Sequence, residues 1–120
     1  MRFLATLCLI ALFAFPVNAY KGIEALRGCK SALNPPPNPS IETVIESARC
    51  LGFIGGFTDS MSIVRAMKGD RNALFCAPKE GISVEQGARL LVKFLEDHPQ
   101  ILHDEARVAV YVALGKAFPC

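Results

Sequence analysis

Cysteines, histidines and acidic pairs are the residues of this 120-residue chain whose types could do chemistry. Cys29, Cys50, Cys76 and Cys120 are separated by 20, 25 and 43 intervening residues. None forms the C-x-x-C pair that zinc sites and thiol oxidoreductases use, so metal binding and redox catalysis both lack their motif. His98 and His103 stand five residues apart across a proline-marked boundary, which does not put two ligands on one helical face. Glu96-Asp97 and Asp104-Glu105 read as solvated carboxylates, the second pair placed where a helix dipole favours acids. Asp59 follows a glycine-rich stretch and reads as partly buried, bound to Ser60, to a loop amide or to a partner. No G-x-S-x-G elbow or H-E-x-x-H pair is present. The expectation is a protein with no catalytic residue, no cofactor and no metal.

What the cysteines do instead depends on the compartment. Residues 1–19, MRFLATLCLIALFAFPVNA, carry an early Arg2, a 13-residue apolar run from Phe3 to Phe15, Pro16, and a small-residue site ending at Ala19. That is the pattern of a secretory signal peptide removed before Tyr20. A membrane anchor needs about 20 apolar residues, so no membrane segment is expected after cleavage. Cys8 belongs to this run. The remaining four cysteines, an even number in a small exported domain, predict two structural disulfides. Without Arg2 the 13 basic residues become 12 against 11 acidic ones. That near-balance argues against nucleic acid as a partner.

The elements that position these residues read as helices. Tyr20–Leu33 repeats Ile23, Leu26, Cys29 and Leu33 at helical spacing. The run Asn34-Pro35-Pro36-Pro37-Asn38-Pro39 then forces an extended connector. Ser40 caps a second helix, with Val44, Ile45, Ala48, Leu51, Ile54, Met61 and Val64 on its apolar face. Gly52, Gly55 and Gly56 fall inside it at about 1 kcal/mol each in propensity. With Ala48 and Ser60 they make a stripe of small residues, so a neighbouring helix is expected to approach the backbone there. Met67–Ile82 reads as a long irregular loop. Ser83-x-x-Gln86 predicts a capping box opening a third helix, buried through Ala88, Leu91, Val92 and Leu95 and ended at His98-Pro99. A fourth helix is expected over Pro99–Phe118.

The short corner between the third and fourth helices makes them an antiparallel hairpin. Cys76, just before the third, and Cys120, just after the fourth, are thereby brought to one end. The geometry favours Cys76–Cys120 and Cys29–Cys50 among three connectivities. The fold class expected is all-α: a small four-helix disulfide-bonded bundle with short helical turns, spanning residues 20–120. In the loop region, Arg65, Lys68, Arg71 and Lys79 are offset only by Asp70 and Glu80. Two readings stand: cations stabilising a helix C-terminus, and a charged contact surface for a protein partner.

Taken in order, "ARCLGFIGGFTD", "FCAP", a Gln86-capped helix and "FLEDHPQILHDEARVAVYVALGKAFPC" resemble the Rap/Tai immunity-protein domain of type VI secretion systems. The resemblance covers about Cys29 to Cys120 and rests on Cys50 to Gly56, Cys76-x-Pro78, His98-Pro99 and Ala117-x-Pro119-Cys120. It implies a helical, disulfide-bonded periplasmic antitoxin. Members act as homodimers that block the active site of a secreted peptidoglycan amidase toxin. On that reading the Met67–Ile82 loop, with Arg65, Lys68, Asp70 and Arg71, is the partner-binding surface. The alternative function is an exported acid-stress chaperone similar to the small Hde proteins, or another non-enzymatic periplasmic interaction protein.

Overall fold

The computed structural model describes residues 18–69 and 73–120. Residues 1–17, which hold nearly all of the expected signal peptide, and Asp70 and Arg71 of the expected partner surface lie outside the described residues. Among those described, the chain forms α1 (Gly22–Leu33), α2 (Ile41–Lys68), α3 (Val84–Asp97), a 3-10 turn (Pro99–Ile101) and α4 (Ala106–Ala117). The architecture is all-α.

The helix starts follow from their caps. Ser40 Oγ accepts from the Thr43 N–H at 3.1 Å, and Ser83 Oγ accepts from the Gln86 N–H at 3.0 Å. At Ser83 only half of the expected box forms, because no bond returns from the Gln86 side chain. A return bond of this kind opens α1, where the Glu24 carboxylate accepts from the Lys21 N–H at 2.8 Å.

α1 packs against α2 and α3, and α3 packs against α4. Ala25, Cys29, Cys50, Ile54, Ala88, Leu91, Leu95, Val110 and Leu114 are sealed from solvent at the centre. Burying each of the larger aliphatics contributes about 1.5–3 kcal/mol. The Cys29–Cys50 bond lies inside this core, with the Cα atoms 5.2 Å apart, and ties α1 to α2. Cys76–Cys120 closes the other end of the bundle. Both pairings are those expected from the hairpin argument.

Several expectations need correction. The buried face of α1 is Gly22, Ala25, Gly28 and Cys29, with Ile23 exposed. It is small because the backbones of α1 and α2 nearly touch: a Cβ on Gly28 would sit 2.5 Å from the Glu46 carbonyl oxygen. The buried face of α2 is Cys50, Ile54 and Thr58, whereas Val44, Ile45, Ala48, Leu51 and Val64 are exposed. Thr58 tolerates burial because its hydroxyl is 3.0 Å from the carbonyls of both Ile54 and Gly55.

The glycines expected to admit a neighbouring helix also fall elsewhere. Gly52 and Gly56 are exposed, and a Cβ on either would meet no described atom within 4 Å; one on Gly55 would make ordinary contact with Val84. The close approaches occur at Gly28 and at Gly87, where a Cβ would lie 2.6 Å from the Ile54 side chain. Asp59 is exposed, not partly buried, and the Ser60 hydroxyl donates to the Phe57 carbonyl at 2.8 Å.

The fourth helix does not begin at Pro99. Between the 3-10 turn and α4 the chain bends to receive the segment preceding α1. Gly22 N–H donates to the Asp104 carbonyl and Ala106 N–H to the Tyr20 carbonyl, each at 2.8 Å, and Lys21 forms an isolated antiparallel bridge with Glu105. These bonds take the place of the helical ladder. Asp104 therefore precedes α4 and Glu105 stands at its N-cap position, outside its first turn.

Candidate functional site

α2 ends because Gly69 adopts φ +74°, while its N–H still donates to the Arg65 carbonyl at 2.8 Å. A non-glycine residue is strained there. From Ala73 the chain runs back along the end of the bundle. Phe75 is buried, Cys76 N–H donates to the Phe118 carbonyl at 2.8 Å, and the Cys76–Cys120 bond fixes the segment against the chain following α4. A turn follows, in which Gly81, at φ +81°, donates to the Pro78 carbonyl at 2.9 Å. Pro78 thus shapes the approach to α3.

Of the residues expected to meet a partner, Arg65 and Lys68 lie within the described residues. Arg65 is half-buried, and its Nη1 donates to the Ala77 carbonyl at 2.9 Å, joining the loop to α2. Lys68 is exposed one turn further on. Two cavities flank this tether. One of about 420 Å³ runs between Met61, Val64, Lys68 and Leu74, and the other, of about 440 Å³, between Ser62, Phe75, Pro78 and Lys79. Beside them a third concavity of about 410 Å³ is formed by Phe57, Met61, Leu74, Arg107, Val108 and Tyr111. Met61 and Leu74 connect them into one apolar surface rimmed by Arg65, Lys68, Lys79 and Arg107.

Leu74, Val108 and Tyr111 are exposed apolar residues that the helical pattern of buried positions does not include. A signal for two of them is present: Val108 and Tyr111 recur at i and i+3 opposite the buried Ala106, Ala109, Val110 and Ala113, giving α4 a second apolar face. Such a patch with cationic edges suits recognition of a macromolecule better than bond-making chemistry. Among the described residues no group of three or more His, Cys, Asp or Glu side chains is arranged to hold a metal ion, and no helix is long and apolar enough to cross a membrane.

The remaining motif residues hold the frame. His98 Nδ1 is 2.7 Å from the Phe94 carbonyl and its ring lies 4.3 Å from that of Phe94, fastening the end of α3 before Pro99. Ahead of α1, the Arg49 guanidinium lies 4.1 Å over the Tyr20 ring. Burial pushes the Tyr20 phenol above the ordinary tyrosine value, and the Arg49 charge partly opposes that. The Tyr20 hydroxyl has no hydrogen-bond partner among the described residues.

Against known families, the Rap1a immunity protein model matches residues 21–120. The chain belongs to the Rap1a immunity protein family. The match runs from the cap of α1 to the terminal cysteine, so it takes in both disulfides and the whole corner between α2 and α3. No curated protein and no solved structure matched the chain. A Rap1a immunity protein works by binding an effector protein.

Proposed function

We propose that this protein is a periplasmic immunity protein that neutralises a secreted peptidoglycan amidase of a type VI secretion system by covering its active-site cleft, and that it does so as a homodimer. The observation that carries the reading is the Rap1a match over residues 21–120. The two disulfides agree with an oxidising compartment. On this reading the chain supplies no reacting group. Its α2–α3 corner, held by Cys76–Cys120 and by Arg65, presents Leu74, Met61 and Tyr111 to the rim of the cleft. Lys68 and Lys79, with Arg71 outside the described residues, steer the encounter. Preorganisation by the crosslink lowers the ordering cost of binding.

The test is inhibition of peptidoglycan cleavage by amidase effectors encoded beside this protein, using the mature chain with its disulfides formed. Stoichiometric inhibition is expected, weakened at least tenfold by Leu74→Asp or Lys68→Glu. Protection of growing cells should require residues 1–19. Full amidase activity in the presence of a molar excess of the folded chain would overturn the reading.

A further inference from the structure

α2 is 28 residues long, and on its outer face, opposite the core, a Cβ at Gly52 or Gly56 would meet no described atom within 4 Å. That face is not polar. Ile41, Ile45, Ile63 and Met67 are exposed along it, and Ala48, Gly52, Gly56 and Ser60 lie between them. The spacing of three and four residues along Ile41, Ile45, Ala48, Gly52, Gly56, Asp59 and Ile63 is that of a helix-packing seam.

The order of these residues is also nearly the same read in either direction about Ile54. Gly52 corresponds to Gly56, Arg49 to Asp59, Ala48 to Ser60, Ile45 to Ile63, and Ile41 to Met67. Ile54 itself points into the core, so the centre of this symmetry emerges on the outer face between Gly52 and Gly56. A face that matches its own reverse is complementary to one partner in particular, a second copy turned by a two-fold axis. The charges agree: Arg49 of each chain would meet Asp59 of the other. Arg49 lies 3.4 Å from Glu24 and 4.1 Å over the Tyr20 ring, yet keeps 47% of its side chain exposed, while Asp59 is exposed.

We infer that α2 pairs antiparallel with α2 of a second copy, Gly52 against Gly56 at the two-fold axis and Ile45 against Ile63 on either side. This rests on the homodimer of the reading above and names its surface, leaving the α2–α3 corner free for the effector. Glycine at the crossing lets the backbones approach more closely than the usual 8–10 Å between helix axes. The helix is about 42 Å long at 1.5 Å per residue. A single helix pair of that length covers less than a standard interface of about 1,600 Å² in total. The dimer is accordingly expected in the micromolar range.

The experiment uses the mature, oxidised chain. Sedimentation at tens of micromolar should show a dimer for the natural sequence and a monomer for Gly52→Arg combined with Gly56→Arg. Both positions are open in the single chain, so that variant keeps its helical content. Register is read by mixing Ile45→Cys with Ile63→Cys under mild oxidation. The mixture should give a crosslinked pair mapped by mass spectrometry, while either variant by itself should not, because in this register position 45 and its copy lie about 27 Å apart. Asp59→Arg should weaken the dimer about tenfold, and Arg49→Asp in the same chain should recover much of it. A monomeric natural chain, a dimer that survives the double arginine variant, or Ile45→Cys linking to itself would each overturn the pairing. Amidase inhibition measured on the same samples separates the two readings: a chain that inhibits without pairing through α2 sinks this inference and leaves the proposed function standing.

Discussion

Cys29–Cys50 and Cys76–Cys120 join residues 21 and 44 positions apart, and in the chain-entropy picture each stabilises the fold by about 3–4 kcal/mol. Their surroundings differ. The first is fully buried at a crossing so tight that Gly28 admits no side chain. The second ends on an exposed Cys120 at a corner of cavities and turns. Loop length makes the two nearly equal, with the longer loop slightly ahead. Packing separates them, because losing the buried sulfurs also opens a hole in the core. One bridge sets the scaffold and the other fixes the α2–α3 corner to the chain after α4.

Replacing both Cys29 and Cys50 by alanine is the strongest way to break that contrast. It is expected to cost about 4–6 kcal/mol, against about 3–4 kcal/mol for Cys76→Ala with Cys120→Ala, measured by urea unfolding. Equal losses would mean that burial adds nothing. Mild reductant sharpens the same point: Cys120 should be alkylated well before Cys29 or Cys50 while the helical signal persists.

Glycine substitutions give a smaller effect of opposite sign. Gly28→Ala should destabilise by about 1–3 kcal/mol, since the Glu46 backbone must move. Gly52→Ala should stabilise by up to about 1 kcal/mol through helix propensity, read at dilutions where the unfolding midpoint no longer depends on concentration. At the corner, Arg65→Ala should cost about 1 kcal/mol with the loss of its bond to Ala77, and should speed amide exchange over residues 73–82 more than in α1.

Tyr20→Phe is the mildest change. It removes a buried hydroxyl that has no partner, so stability at neutral pH should hold or rise by about 1 kcal/mol. The folded-state value of Tyr20 is raised by burial, so the stability tied to its protonation is complete below about pH 10 and is lost as pH rises through the folded value. Phenylalanine has nothing to ionise. The alkaline side of the stability curve should flatten in the variant.

The contrast between regions also governs what could be read from sequence. α3 was legible because one face is apolar and the other charged: Ala88, Leu91 and Leu95 are buried, and Glu85, Arg89 and Lys93 are outside. The disulfide pairing followed from the hairpin that α3 makes with α4. α2 was not legible, since its outer Val44 and Ile45 are more apolar than the Thr58 it buries; periodicity cannot rank two apolar faces. The glycines misled for a related reason. Gly28 and Gly52 look alike in sequence, and only the path of the neighbouring backbone tells them apart. The break before α4 was hidden because it is made by hydrogen bonds from Tyr20 and Gly22. At the corner, the tether from Arg65 to Ala77 was not legible, since a loop carbonyl has no signature in sequence.

Those hydrogen bonds at Tyr20 and Gly22 bear on the order in which the chain can mature. The residues that seat the start of the last helix belong to the beginning of the polypeptide, so the native arrangement closes only through a contact of very long sequence separation. In folding, α4 gains its native start only when Tyr20 and Gly22 dock on Ala106 and Asp104, so this contact is expected to form after the local helical contacts of α1 and α3.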